Sequence, residues 1–359
     1  MTKLLYITNG INGPGGLERV LSIKASLLTE KYGYDVYILS LNNAHKNPFY
    51  RFSPKIKMFS VDVFGNPLNY LLKYKKGTQK IVDMVKPNII SVCDDGLKGF
   101  FLPKVIKTEA KWIYERHASI LLNTSNSLKG KLVKRLMQKR TSDFDKFVVL
   151  TPTNIKEWKS NNVIAIPNPV SFETEEQSTL NNNKIIVVGS HSYNKGYDTL
   201  LKIWSNIEKK YPDWQLNIYG KIDKDKTFVN LAGQLQLKNV LFHSPVKTIK
   251  EKYLESSIML LTSRSEGFGM VLIEAMSCGV PCISFDCPSG PRDIITDKED
   301  GFLIKDQNPK AFENALSLLI ENDKLRKQMG TKAKENSKRF DMNIIMQKWL
   351  SLFLVLKNN

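Results

Sequence analysis

No stretch of this sequence reaches the roughly 20 consecutive apolar residues that a bilayer-spanning helix needs. The longest apolar stretch, IIMQKWLSLFLVL at Ile344–Leu356, is interrupted by Gln347 and Lys348. Its spacing is that of an amphipathic helix packed on a folded domain. The N-terminus, MTKLLYITNG, lacks the long apolar core and cleavage site of a secretory signal. Cysteine is scarce, with Cys93, Cys278, Cys282 and Cys287 as the only four. The expected compartment is therefore reducing, with free thiols. Three of the cysteines are clustered, but no Cys or His pair completes a zinc pattern, so they read as small buried residues. No solenoid repeat is visible.

A dinucleotide fingerprint is also missing. Gly10, Gly13, Gly15 and Gly16 do not make G-x-G-x-x-G, since Glu18 holds the third position, and LNN rather than an acid ends the second strand. The loop reads as a tight turn before a helix, with enough glycine to let a ligand approach its backbone. Acidic triplets suited to a metal are few. Asp143-Phe-Asp145 and Asp223-Lys224-Asp225 occur, but neither follows an apolar strand end in a way that would hold a metal at a donor. No metal and no cofactor is expected.

Positive charge is abundant: 53 Lys and Arg against 35 Asp and Glu, a formal net charge of +18. That balance points to nucleic acid, anionic lipid or phosphorylated substrates. The charge is spread over both halves and no RNA- or DNA-binding motif accompanies it, so nucleic acid is not expected as a partner. The 359 residues fit two domains, and 42% hydrophobic residues suffice for their cores.

The first half opens with a strand, KLLYITNG, a loop, a helix, RVLSIKASLLTEKYG, and a second strand, DVYILSL. This is a β-loop-α-β unit. A further strand, PNIISVCDD, follows a basic helical run, and Lys111–Ser119 forms another that carries His117 at its end. A histidine at the carboxyl edge of an open α/β sheet stands where ligands bind, but spacing alone does not separate that role from a structural one. Asn126–Arg140 holds six basic residues and no acid over a leucine-rich spacing. It reads as a helix suited to an anionic membrane surface or an anionic acceptor. FVVLT closes this half, and the polar piece TEEQSTLNNN, Thr174–Asn183, reads as the linker. Strands and helices then alternate again from KIIVVGS onward, which argues a second parallel, doubly wound sheet.

The most informative stretch is SRSEGFGMVLIEAMSCG, Ser263–Gly279. It joins an apolar strand, IMLLTS, to a helix, MVLIEAMS, through Gly267 and Gly269. The unpaired amides and positive dipole end of a helix start form an anion site. Glu266 and Glu274 flank it, and carboxylates serve hydroxyls rather than phosphate. Phosphate and polyol together point to a nucleotide sugar.

On these residues the chain resembles the retaining glycosyltransferases of family four, of GT-B fold, over nearly its whole length. EGFGMVLIE matches the family's pair of glutamates, followed by AMSCGVPCISFD; GGLER, ERHAS, GSHSYNKGYD, GPRDII and DGFLI also match. The resemblance implies two Rossmann-like domains facing across a cleft: an acceptor-binding domain at 1–173, a nucleotide-sugar-binding domain at 184–340, and a C-terminal helix, 341–359, packing back on the first. It implies that Glu274 accepts bonds from the donor ribose, that Glu266 holds hydroxyls of the transferred sugar, and that the Phe268, Gly269, Met270 and Val271 amides take the diphosphate beside Gly267. Lys195 would neutralise the leaving diphosphate. His117 would line the catalytic centre, Gly15 and Gly16 the N-terminal loop near the reaction point, and Ser244, Pro245 and Val246 would pass under the base. The family usually carries an arginine where Ser190 stands, leaving one phosphate cation fewer, for which Arg264 or His191 could compensate.

The activity so implied is metal-independent transfer of a hexose or N-acetylhexosamine, with retention, from a uridine diphosphate sugar to a glycan or lipid-linked acceptor. The expected place is the cytoplasm, peripheral to the inner face of the plasma membrane, in surface-polysaccharide assembly. Rival readings are an epimerase or synthase on the same fold, or a basic nucleic-acid-binding protein.

Overall fold

A computed structural model describes residues 1–42, 47–120 and 127–358. The chain divides into two compact units, Met1–Ser171 with Met342–Asn359, and Phe172–Asp341. The first unit is built on seven strands: β1 Lys3–Thr8, β2 Asp35–Leu41, β3 Lys57–Val61, β4 Ile89–Cys93, β5 Lys111–Glu115, β6 Lys146–Val149 and β7 Val163–Ala165. They lie in the order β3-β2-β1-β4-β5-β6-β7, and every pair is parallel. Strands buried on both faces are written as near-continuous apolar runs. In β1 the alternation sends Leu5 and Ile7 into one core and Leu4 and Tyr6 into the other. The helix Met342–Asn358 completes the second of these cores, where Ile345, Met346, Trp349, Phe353 and Leu356 are buried beside Leu21, Ala25 and Leu28.

The second unit carries β8 Lys184–Val188, β9 Gln215–Tyr219, β10 Val240–His243, β11 Ile258–Leu261, β12 Cys282–Asp286 and β13 Gly301–Lys305. Their order is β10-β9-β8-β11-β12-β13, again all parallel. In each sheet the winding reverses once, between β1 and β4 and between β8 and β11. The loops leaving the carboxyl ends of those neighbours are where open α/β sheets bind ligands. Both units are therefore Rossmann-like and doubly wound, the α/β class expected.

Three local expectations are corrected. Thr174–Asn183 is not a free linker. Ser178 donates its Oγ to the Ser256 carbonyl at 2.7 Å and its N–H to the Cys278 carbonyl at 2.8 Å, and the Leu180 carbonyl accepts two bonds from Arg326. Leu180 is buried there, so the polar composition reflects anchoring bonds; the first unit runs to Ser171. The strand expected over Lys111–Ser119 stops at Glu115, because Arg116 turns back to donate to the carbonyls of Ala118 at 2.8 Å and Ser119 at 2.9 Å. The first helix begins earlier, at Gly16. In the basic helix, Leu128–Arg140, Met137 is buried while Leu128 and Leu132 are 87% and 67% exposed. Asn126 lies outside the described residues.

Candidate functional site

The reversal point of the second sheet brings two loops together. Gly189–Gly196 leaves β8 and Thr262–Gly269 leaves β11. Asn194 and Arg264 tie the two: Arg264 N–H donates to the Asn194 carbonyl at 2.8 Å, and Asn194 Nδ2 donates to the Ser265 carbonyl at 2.8 Å. Thr262 Oγ1 donates to the Lys195 carbonyl at 3.0 Å. The approach depends on Gly196. Its φ is +67°, and a Cβ there would collide with the Thr262 carbonyl oxygen. The result places Lys195 Nζ 2.7 Å from Glu266 Oε1, both largely shielded from solvent.

The helix Met270–Ser277 starts from Gly269, whose φ of +101° only glycine adopts without strain. The Leu272 amide returns to the Gly269 carbonyl at 2.9 Å, and the Met270 and Val271 amides before it are the ones a helix start leaves without a helical carbonyl. Phe268 and Gly269 are buried, while Glu266, Gly267, Met270 and Val271 are partly open. Glu274 is one turn further on, 1% exposed, and accepts from Tyr253 Oη at 3.1 Å. A buried carboxylate behind a helix start is a demanding arrangement unless it serves polar partners. Ser244, Pro245 and Val246 are exposed directly after β10.

The cations expected to stand in for the missing arginine are otherwise engaged. Arg264 holds Asp198 through two bonds of 3.0 and 2.8 Å and stacks on Tyr193 with its guanidinium 3.9 Å from the ring centroid. His191 is buried edge-on among Tyr197, Phe228 and Phe242. Burial lowers its pKa, only partly offset by Asp223, so it is a neutral aromatic filler rather than a phosphate cation. Ser190 is exposed beside them. Both Asp-x-Asp triplets have other work. Asp143 pairs with Arg140 and Lys104, Asp145 accepts the Trp112 amide at 2.7 Å, and Asp223 accepts from the Thr227 N–H and hydroxyl.

In the first unit, Gly15 caps and Gly16 begins the helix Gly16–Glu30, and a Cβ on Gly15 would fall against the Glu18 carboxylate folded back over the loop. His117 lies just past β5. Asp95 Oδ1 accepts the amides of His117 at 2.9 Å and Ala118 at 3.1 Å, which fixes this turn. Beneath it Glu115, 2% exposed, is paired with Lys24 and accepts from Ser91 Oγ at 2.6 Å. The ligand atoms of Cys93, Glu115 and His117 all lie within 4.8 Å of one another, the one grouping among the described residues with metal-like spacing. Lys24 already supplies the positive charge there, and burial, then the charge of Glu115, pushes the Cys93 thiol far up, so it is no ready thiolate. Lys24, Glu115 and Tyr253 escaped the reading of the sequence. A lysine inside the apolar stripe Val20–Leu28 and a lone acid ending an apolar strand were the available signals.

The fold of the whole chain is shared with sugar-transferring enzymes. Sucrose-phosphate synthase from Thermosynechococcus elongatus superposes with a TM-score of 0.85 at 17% identity, covering 99% of both chains. Anabaena HepE in complex with UDP superposes with a TM-score of 0.78 at 16% identity, covering 99% of this chain and 100% of that one. The architecture is thus that of the GT-B glycosyltransferases. Residues 171–336 match the model of the family "Glycosyl transferases group 1". An uncharacterized glycosyltransferase of Haemophilus influenzae is 33% identical, covering 97% of this chain and 99% of its own. The amylovoran biosynthesis glycosyltransferase AmsD of Erwinia amylovora is 31% identical with the same coverage. The chain belongs to the group 1 glycosyltransferases, and it is a hexosyltransferase.

Proposed function

We propose that this enzyme moves a hexose or N-acetylhexosamine from a uridine diphosphate sugar to a hydroxyl of a glycan or lipid-linked acceptor, retaining the anomeric configuration and using no metal or cofactor. The observation that carries the reading is the grouping of Lys195, Glu266 and Glu274 around one helix start at the reversal point of the second sheet. Breaking the bond between the anomeric carbon and the diphosphate loads negative charge on the leaving group while the sugar becomes cation-like. The Lys195 ammonium and the first-turn amides stabilise the leaving group. Glu266 receives hydroxyls of the sugar, and Glu274 those of the ribose. The acceptor hydroxyl attacks from the leaving-group side, which retains configuration. His117, Gly15 and Gly16 serve the acceptor's side of the reaction. The UDP held by HepE and the polysaccharide role in the name AmsD support the donor and the pathway class.

A place at a membrane surface is part of the reading. Phe64, Leu68, Leu71 and Leu72 are exposed at the start of the helix Pro67–Val85, and Leu128 and Leu132 at the start of Leu128–Arg140. Both helices run back from the carboxyl edge of the sheet that also presents His117. Lys73, Lys75 and Lys76 on the first, and Lys129, Lys131 and Lys134 on the second, suit anionic headgroups. Among the described residues no helix is long and apolar enough to cross a membrane.

The reading is tested with UDP-glucose, UDP-galactose and their N-acetyl forms, scored by thermal shift and hydrolysis. At least one should stabilise and be hydrolysed, and Glu274→Ala should abolish its binding. Unchanged affinity in that variant would sink the ribose assignment.

A further inference from the structure

Glu115 is surrounded by donors. Oε1 takes the Ser91 hydroxyl and Oε2 takes the Lys24 ammonium, while His117 Nε2 lies 3.6 Å from that same Oε2. Burial alone would raise the Glu115 pKa, but Lys24 and then His117 outweigh it and hold the carboxyl down at about 2. Lys24 is itself enclosed, its ammonium 3.8 Å from the ring centroid of Trp349 and 5.0 Å from that of Tyr6. Trp349 belongs to the C-terminal helix, so the segment that returns to the first unit closes the cage around the pair.

We infer that Glu115 is a positioning residue for His117, with Lys24 and Trp349 holding the carboxylate in that role. The inference rests on the reading that His117 faces the reaction. An ionised carboxylate has no proton to give, so the ring nitrogen facing it carries hydrogen. The Nε2–H tautomer, with its lone pair on Nδ1, is the one that the facing carboxylate favours; both ring nitrogens are buried and neither has a hydrogen-bond partner in the protein. In that tautomer Nδ1 is the ring's only acceptor, the atom that would take a hydroxyl reaching it. At 3.6 Å the ring and the carboxylate are in electrostatic contact, just outside hydrogen-bond distance. The backbone half of the placement is separate: Asp95 fixes the His117 amide, and Glu115 fixes the side chain.

Two variants separate positioning from mere stability. Glu115→Gln leaves Lys24 buried without its partner and is expected to unfold readily. The double variant Lys24→Met/Glu115→Gln removes both charges at nearly constant volume and should fold, since buried pairs replaced by neutral groups are commonly tolerated. In it the Gln oxygen takes the Ser91 hydroxyl, so its NH2 faces His117 and the ring must accept there. Long-range proton–nitrogen spectra of histidine-labelled protein, with His117→Gln to assign the signal, should show Nε2–H in the wild type and Nδ1–H in the double variant. Hydrolysis of the fastest of the four UDP sugars should lose about tenfold or more in kcat with KM within about twofold. A folded double variant with the wild-type tautomer, or with wild-type kcat, overturns the inference. If the wild type hydrolyses none of the four sugars, the donor reading fails, and the tautomer alone decides the role of Glu115.

Discussion

Lys195 Nζ lies 2.7 Å from Glu266 Oε1, so the cation assigned to the leaving group and the acid assigned to the sugar are already in contact before any donor arrives. The contact ties the loop after β8 to the loop that leads into the helix start at Gly269. The pair fixes two long side chains that would otherwise lose rotamer freedom on binding. Lys195→Met should therefore cost roughly a hundred- to a thousandfold in kcat, the scale of removing one group that stabilises charge developing in the transition state. Glu266→Gln should cost less in nucleotide affinity than in turnover. Steady-state kinetics with the preferred UDP sugar check both, and equal losses in KM and kcat for Lys195→Met would contradict the assignment.

The lysine reaches that position only because Gly196 lets the chain turn. At φ +67° an alanine is strained, and its Cβ would press on the Thr262 carbonyl oxygen. Gly196→Ala should lose at least about 1–2 kcal/mol of stability and move Lys195 off Glu266. Expected outcomes are a lowered unfolding midpoint and a kcat close to that of Lys195→Met. A stable, fully active alanine variant would show that the turn is not needed.

Much of this layout was legible in the residues, and the exceptions have a common cause. The alternating apolar runs announced two parallel sheets, since only buried parallel strands are apolar on both faces. Ser263–Gly279 announced a strand, a glycine turn and a helix start from local order alone. What stayed hidden depends on distant partners. Lys24 meets Glu115 from 91 positions away and Trp349 from the far end of the chain. Asp198 takes Arg264 out of service from 66 positions away. Thr174–Asn183 looked like a linker because its polar side chains and backbone seek partners that only folding supplies.

With Arg264 engaged, Ser190 remains an exposed serine at the position where the family resemblance implies an arginine. Ser190→Arg should restore a phosphate contact. UDP should bind about fivefold tighter, or about 1 kcal/mol, and the gain should shrink as salt screens it. Calorimetry at low and high ionic strength tests this. No gain at low salt would place Ser190 away from the diphosphate.

Acid should weaken the second unit through His191. Burial lowers its folded pKa below the ordinary 6.5, so the unfolded chain binds the proton more readily. The stability this represents is present above pH 6.5 and is lost as pH falls below it. His243, lowered in the same direction by burial and by Lys252, adds to the loss. Glu115 acts further down: its contribution is present above the unfolded value of 4.5 and lost as pH falls toward about 2. His191→Phe keeps the ring among Tyr197, Phe228 and Phe242 but cannot be protonated. Thermal melts between pH 7 and 5 should show the variant gaining on the wild type as pH falls; parallel curves would exclude His191 as a source of the slope.

The exposed leucines of the first unit give the last test. Leu68, Leu71 and Leu72 sit three and four positions apart at one end of their helix, and Lys75 and Lys76 follow within a turn. Solvent gives no reason to hold three leucines outward, whereas an interface takes the apolar ends while the lysine stems reach back to headgroups. Each lysine near an anionic surface adds about 1 kcal/mol. The protein should float with vesicles containing phosphatidylglycerol, less with phosphatidylcholine alone, and less again at high salt. Leu68→Ser/Leu71→Ser/Leu72→Ser should abolish flotation without changing UDP affinity, because the proposed nucleotide site belongs to the other unit. Neutralising Lys129, Lys131 and Lys134 should weaken flotation and leave hydrolysis of a soluble donor intact. A protein that stays in solution with anionic vesicles, and whose charge-neutral variants keep full activity on lipid-linked acceptors, does not work at a membrane.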